Sequence, residues 1–165
     1  MTTHESTEFF DACRKGDIEG VKVLLASRKD LVNIADSRGF TPLIIAVYNN
    51  QPEVTSFLLE SGAEVSSQDV SGNTALMGAC FRGYKEIVIR LLEHGAEVNQ
   101  RNFQGATALT FAATFGQLEI AEILLNKGAD LYVQDVRGKS PFDHAVIQEN
   151  LPMIELLEKY LEAGE

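Results

Sequence analysis

Glycines at Gly39, Gly72, Gly105 and Gly138 stand 33 residues apart, and that spacing constrains nearly the whole chain. Gly62, Gly95 and Gly128 repeat with the same period, as do Thr41, Thr74, Thr107 and Ser140. So do Ala46, Ala79, Ala112 and Ala145, and Leu58, Leu91, Leu124 and Leu157. Composition bias cannot make so many independent columns agree. A fixed self-similarity of this length marks a stacked solenoid, in which no unit buries an apolar face by itself. Such a chain is elongated, and its distinguishing surface is built from the positions that do not repeat.

Each column has a local physical meaning. The glycines of the first column follow two turn residues, where the backbone needs a conformation that a Cβ penalises. Thr41, Thr74, Thr107 and Ser140 precede apolar runs as helix N-caps do. Pro42 and Pro141 follow at the first helical position, where a missing N–H costs nothing. The first helix of each unit is short and alanine-rich, which lets neighbouring units approach closely. A second helix begins after Asn50, Gly83, Gly116 or Glu149. Its apolar stripe, such as Ile120, Ala121, Ile123 and Leu124, has helical spacing, and Gly62, Gly95 and Gly128 close it.

The units therefore run over residues 36–68, 69–101, 102–134 and 135–162. The unit at 69–101 reads DVSGNTALMGACFRGYKEIVIRLLEHGAEVNQR from Asp69. Residues 5–35 form a first unit without the D-x-x-G-x-T-P-L opening. This unit keeps the helix pair through Phe9, Phe10 and Ala12, then Val21, Leu24 and Leu25, and lies 34 residues ahead of the next. The last unit ends in the polar run from Glu158 to Glu165. Terminal units of a solenoid must turn a wet face outward, and both read as caps.

This pattern resembles the ankyrin repeat, close to D-x-x-G-x-T-P-L-H-x-A-A followed by a second helix and G-A-D. The resemblance implies an all-α repeat solenoid. It would be an ankyrin array of five helix–turn–helix units linked by short β-hairpins, with atypical N- and C-terminal caps in one domain over residues 1–165. The histidine after T-P-L is replaced here by Ile44, Met77, Thr110 and Asp143, so its hydrogen bonding is absent or rebuilt. His144, one position later, does not substitute for it.

Composition excludes several classes of function. With 45% hydrophobic residues the chain can build one continuous core. No stretch approaches a membrane span, and the polar, acidic start from Met1 to Phe10 does not read as a signal peptide. Cys13 and Cys80 fall two units apart at one repeat position, beyond bonding reach, and read as buried small hydrophobes in a reducing, cytoplasmic compartment. No H-E-x-x-H, C-x-x-C, G-x-S-x-G, Walker or dinucleotide pattern occurs. Asp135, Asp143 and His144 invite an acid–base reading, but each has an ordinary place in the repeat. The expectation is no enzyme, no catalytic residue, no metal and no cofactor.

In ankyrin arrays the hairpin tips and the exposed side of the first helix form a concave groove that usually binds partners. Carried onto this chain, the groove takes 24 positions, of which five are basic, five aromatic and none acidic. The formal net charge of the chain is −10, so the remainder carries −15. Arg14 and Lys15 of the first unit add to the basic side. The residues expected to bind are Arg38, Phe40, Tyr48, Phe81, Arg82, Arg101, Phe103, Phe115 and Arg137. Phe81 and Arg82 are expected to converge with Arg101 and Phe103 mid-groove. Aromatic and Arg anchors on a free surface are what protein-binding hot spots favour. The alternative is that Phe40 packs under its own hairpin and that Phe81 or Phe115 is half buried between helices.

These residues point to a monomeric, non-catalytic protein–protein interaction module. Its partner would be another protein with an acidic and apolar surface patch. An alternative is an anionic small molecule or nucleic acid in the same groove, although overall acidity makes nucleic acid unlikely.

Overall fold

A computed structural model describes residues 3–164. Ten α-helices follow in pairs: α1 (His4–Lys15) and α2 (Ile18–Ser27), α3 (Pro42–Tyr48) and α4 (Pro52–Glu60), α5 (Ala75–Arg82) and α6 (Lys85–Glu93), α7 (Ala108–Thr114) and α8 (Leu118–Asn126), α9 (Pro141–Ile147) and α10 (Leu151–Ala163). A 3₁₀ helix, Lys29–Asn33, takes up the longer connection of the first unit and buries Leu31. The odd-numbered helices pack in succession as one layer and the even-numbered helices as a second.

The repeat columns are the core. Ala46, Ala79, Ala112 and Ala145 have no exposed surface, nor do Leu58, Leu91, Leu124 and Leu157. Alanine in the first column brings successive helices of the first layer together. Leucine in the second fills the space between the two layers.

Each first helix begins as its residues dictate. The hydroxyls of Thr41, Thr74, Thr107 and Ser140 accept from the backbone N–H three residues on, at 3.2–3.4 Å. The column that carries no histidine rebuilds part of the missing bonding with whatever side chain it has. The Met77 sulfur accepts from the Thr74 N–H at 3.5 Å, the Thr110 hydroxyl from Thr107 N–H at 3.1 Å, and the Asp143 carboxylate from Ser140 N–H at 2.8 Å. Ile44 has no group to offer.

The turns between units hold no strand among the described residues. Each is closed by backbone bonds too few for a ladder, such as Asp69 N–H to the Asn73 carbonyl (3.0 Å) and Gly72 N–H to the Asp69 carbonyl (2.9 Å). The expected hairpins are thus reduced to tight turns. Successive turns are joined by single backbone bonds: Val70 N–H to the Arg38 carbonyl, Phe103 N–H to Ser71 and Val136 N–H to Gln104, at 3.0–3.1 Å. Glycine is needed here twice over. Gly72 has φ +79°, and a Cβ on it would stand 2.7 Å from the Phe103 nitrogen of the next turn.

Between the two helices of a unit the chain passes through a left-handed residue. Gly16, Gly83 and Gly116 supply it at φ 69–78°, whereas Asn50 (φ 54°) and Glu149 (φ 52°) adopt it with a side chain. A non-glycine residue in this region costs about 1–2 kcal/mol, asparagine less. Glycine gives back roughly 0.5–1 kcal/mol in chain entropy. Glu149→Gly is therefore expected to raise stability by up to about 1 kcal/mol, read as a higher midpoint in urea unfolding, while Gly83→Glu lowers it. Leu91→Ala, in the central leucine column, should cost about 2–5 kcal/mol in the same measurement. A loss well under about 1 kcal/mol would mean that Leu91 does not fill the core between the two layers.

Candidate functional site

The turn tips and the C-terminal ends of α3, α5, α7 and α9 share one edge of the array. An aspartate or asparagine opens each turn, and these acids do not face solvent as free charges. One side-chain oxygen of Asp36, Asp69, Asn102 and Asp135 accepts from the backbone N–H two and four residues on, at 2.8–3.0 Å. The carboxylates nearest the tips are consumed in building the turns. The exposed side chains beside them are basic, apolar or neutral polar, such as Arg38, Val70, Ser71 and Gln104.

The nine residues expected from sequence fall into three groups. Phe40 and Tyr48 are half-buried and lie against each other, with ring centroids 6.1 Å apart. Tyr48 is seated on Gly78 of α5, where a Cβ would come within 3.0 Å of the ring. The Arg38 guanidinium lies over the Phe40 ring at 4.5 Å. Phe81 and Phe115 meet edge to face at 4.7 Å, and Phe111 stacks behind Phe115. Phe81 and Phe115 remain 38% and 48% exposed. Arg82 donates to the Tyr84 hydroxyl, two residues on, at 3.2 Å.

Phe103 stands on the backbone of Gly72 and is 64% exposed at a turn tip. Arg101 spans two turns, donating to the Gly105 carbonyl at 3.2 Å and to the Gln134 carbonyl at 2.6 Å. It is partly a turn staple. Arg137 is exposed in the last turn. Phe81 and Arg82 do not join Arg101 and Phe103 through any ring pair or hydrogen bond among the described residues. Phe81 finds its partner on the next helix, and Arg101 finds carbonyls instead.

The expected residues understate the apolar tips. Val70, Phe103 and Val136 occupy one repeat column and are each about two-thirds exposed. Ile147, 57% exposed, extends the row at the end of α9. Period alone carried this signal, since Ser37 breaks the column only in the second unit.

A recess of about 260 Å³ opens at the end of this face nearest α1, lined by Arg14, Arg38, Phe40, Ile45, Tyr48 and Asn49. A second recess, about 380 Å³, lies in the other layer between α2 and α4, around Lys22, Lys29 and Phe57. Glu53 and Glu60 border a neighbouring dent, so that side is mixed in charge.

The histidine–carboxylate pair in the last unit has a structural setting. His144 Nε2 lies 2.7 Å from Asp135 Oδ2, and the other carboxylate oxygen holds the turn N–H groups of Arg137 and Lys139. Burial alone would raise the Asp135 pKa. The bonds from Lys139, His144 and Arg137 outweigh it and hold the carboxyl below its usual range. Among the described residues no nucleophile is hydrogen-bonded to the pair. Cys13 and Cys80 are buried on α1 and α5; burial pushes the Cys13 thiol up to about 12 and the Cys80 thiol higher. Such thiols are unreactive. Among the described residues no group of three His, Cys, Asp or Glu could hold a metal, and no helix is long and apolar enough to cross a membrane.

The family model for ankyrin repeats matches three overlapping stretches, residues 9–102, 61–135 and 101–163. The chain belongs to the ankyrin repeat family. A BTB/POZ domain-containing protein 3 of Schizosaccharomyces pombe is 39% identical over 61 residues, 37% of this chain and 12% of that protein. Palmitoyltransferase akr1 of Neurospora crassa is 32% identical over 68 residues, 41% of this chain and 9% of that protein. NAD-capped RNA hydrolase NUDT12 of Macaca fascicularis is 38% identical over 60 residues, 36% of this chain and 13% of that protein. The chain thus matches about a tenth of the length of these curated relatives. Ankyrin repeats generally serve as protein–protein interaction modules and are typically non-catalytic.

A depressed carboxyl pKa stabilises the fold above the unfolded-state value, and that contribution is lost as pH falls through the folded value. Asp135 therefore supports the last unit at neutral pH and fails it in acid. Asp135→Asn should keep the turn, as Asn102 does in the preceding unit. It should also flatten the fall in unfolding midpoint between pH 5 and pH 2 relative to the parent protein.

Proposed function

We propose that this ankyrin array binds a partner protein through the groove formed by its turn tips and first helices. The five units, 5–35 to 135–162, act together as one non-catalytic domain, working as a monomer in the cytoplasm. Arg38, Phe40, Tyr48, Phe81, Arg82, Phe103, Phe115 and Arg137 make the contacts, with Arg101 at the rim. The observation that carries this reading is the inward use of the turn aspartates. It leaves basic and aromatic side chains exposed without acids in a chain whose net charge is −10. Such a surface favours a partner patch carrying carboxylates around apolar side chains. A phosphate backbone would meet the net negative body, which weighs against extended nucleic acid.

Capture from native lysate, identified by mass spectrometry, tests the face. Phe81→Ala with Arg82→Ala should cut recovery of the partner at least tenfold. Loss of the Phe81–Phe115 contact should lower stability by only about 1 kcal/mol. Glu93→Ala with Glu122→Ala, on the second helices, should leave both unchanged. Glu86 is unsuited as a control because it is ion-paired to Arg90, whose guanidinium reaches Ser56 on α4. If the second-helix variant lost the partner and the groove variant kept it, the binding face would lie on the other layer.

A further inference from the structure

The recess at the α1 end of the groove differs from the rest of the face. Its walls come from three elements: the last turn of α1, the turn at 36–40, and the end of α3. They are fixed before anything binds. Tyr48 rests on the bare backbone of Gly78, Phe40 packs on Tyr48, and the Asn49 amide donates to the Ile45 carbonyl at 2.8 Å. The Arg38 guanidinium is held over Phe40 at 4.5 Å.

Its donors are nonetheless unspent. Among the described residues neither the Arg38 guanidinium nor the Tyr48 hydroxyl donates a hydrogen bond. The nearest anion to Arg38 is Asp36 Oδ2 at 3.9 Å, and the other oxygen of that carboxylate already holds the turn. Arg14, by contrast, is paired with Asp11 on its own helix. A planar cation stacked on a ring, with its N–H fork free, is arranged for a carboxylate. The adjoining wall of Phe40, Ile45 and Tyr48 is apolar.

We propose that this recess is an anchor pocket for one carboxylate and a neighbouring apolar side chain of an acidic peptide segment. The carboxylate is taken by Arg38, and the apolar side chain lies against Phe40, Ile45 and Tyr48. The proposal rests on the reading that the groove is the binding face. Size selects the occupant. About 260 Å³ falls below the roughly 300–1,000 Å³ of small-molecule sites, but suits one or two side chains. A purely apolar side chain would desolvate Arg38 without pairing it, and a lone carboxylate would leave the aromatic wall bare.

The test is selection of displayed random octapeptides on the intact chain, followed by fluorescence polarisation with a labelled winner. Selected peptides should carry Asp or Glu within two positions of Leu, Phe or Tyr. Arg38→Ala should weaken the labelled peptide at least tenfold and Arg38→Lys less, with Lys127→Ala, an exposed cation at the end of α8 in the other layer, changing affinity under twofold. Circular dichroism melts of each variant confirm folding. ATP at millimolar concentration should not displace the peptide. Winners without acids, indifference to Arg38→Ala in a folded variant, or displacement by ATP would each overturn the pocket. Winners lost only on Phe81→Ala and Phe115→Ala would overturn it while leaving the groove reading intact. A selection yielding no peptide sensitive to any groove substitution would overturn both.

Discussion

The backbone bond from each turn to the one before it sets the geometry of everything else. Val70, Phe103 and Val136 each give their N–H to a carbonyl of the preceding turn, so successive units are locked at one spacing on this edge. The bond requires the two backbones to approach closely, and that approach requires glycine. It also directs the alternating side chains, sending the aspartates inward to hold the turn and the valines and Phe103 outward. Packing in the alanine column follows from that spacing, because only a small residue fits between helices held so near.

The other edge is tied by a different chemistry with the same purpose. Asn33 donates to the Gly62 carbonyl and accepts from Glu64 N–H, and Asn99 repeats the arrangement with Gly128 and Asp130. Ser66, in the same column, reaches only Glu97 N–H, at 3.3 Å. Arg90 adds a clasp from α6 to the Pro52 carbonyl and Ser56 hydroxyl of α4. Each unit therefore meets its neighbour through side chains spaced about one period away, as nearest-neighbour stability in a repeat array requires.

Period and capping chemistry made the helices, their pairing and the core columns readable before any coordinates. What the alignment could not convey was the direction of individual side chains. Arg82 and Arg101 look equivalent as charges, but one donates to the Tyr84 hydroxyl and the other to the Gly105 and Gln134 carbonyls across two turns. The pairing of Phe81 with Phe115 was hidden for the same reason: it joins neighbouring repeat positions in consecutive units, and so no single column reveals it. The link from His144 to Asp135 crosses from a helix to the turn before it, and a repeat alignment treats those as separate positions. The resemblance supplies the connection between units but not the number of backbone bonds that close it.

Met77, Thr110 and Asp143 close the same helix start with a thioether, a hydroxyl and a carboxylate, and Ile44 leaves it to Thr41 alone. Geometry makes these units near copies, but their chemistry makes them unequal. At this one helix start, oxidation of the thioether to the bulkier, polar sulfoxide would remove the bond in the third unit, and protonation of the carboxylate would weaken it in the fifth. Units that share one geometry thus differ in what would loosen this one contact.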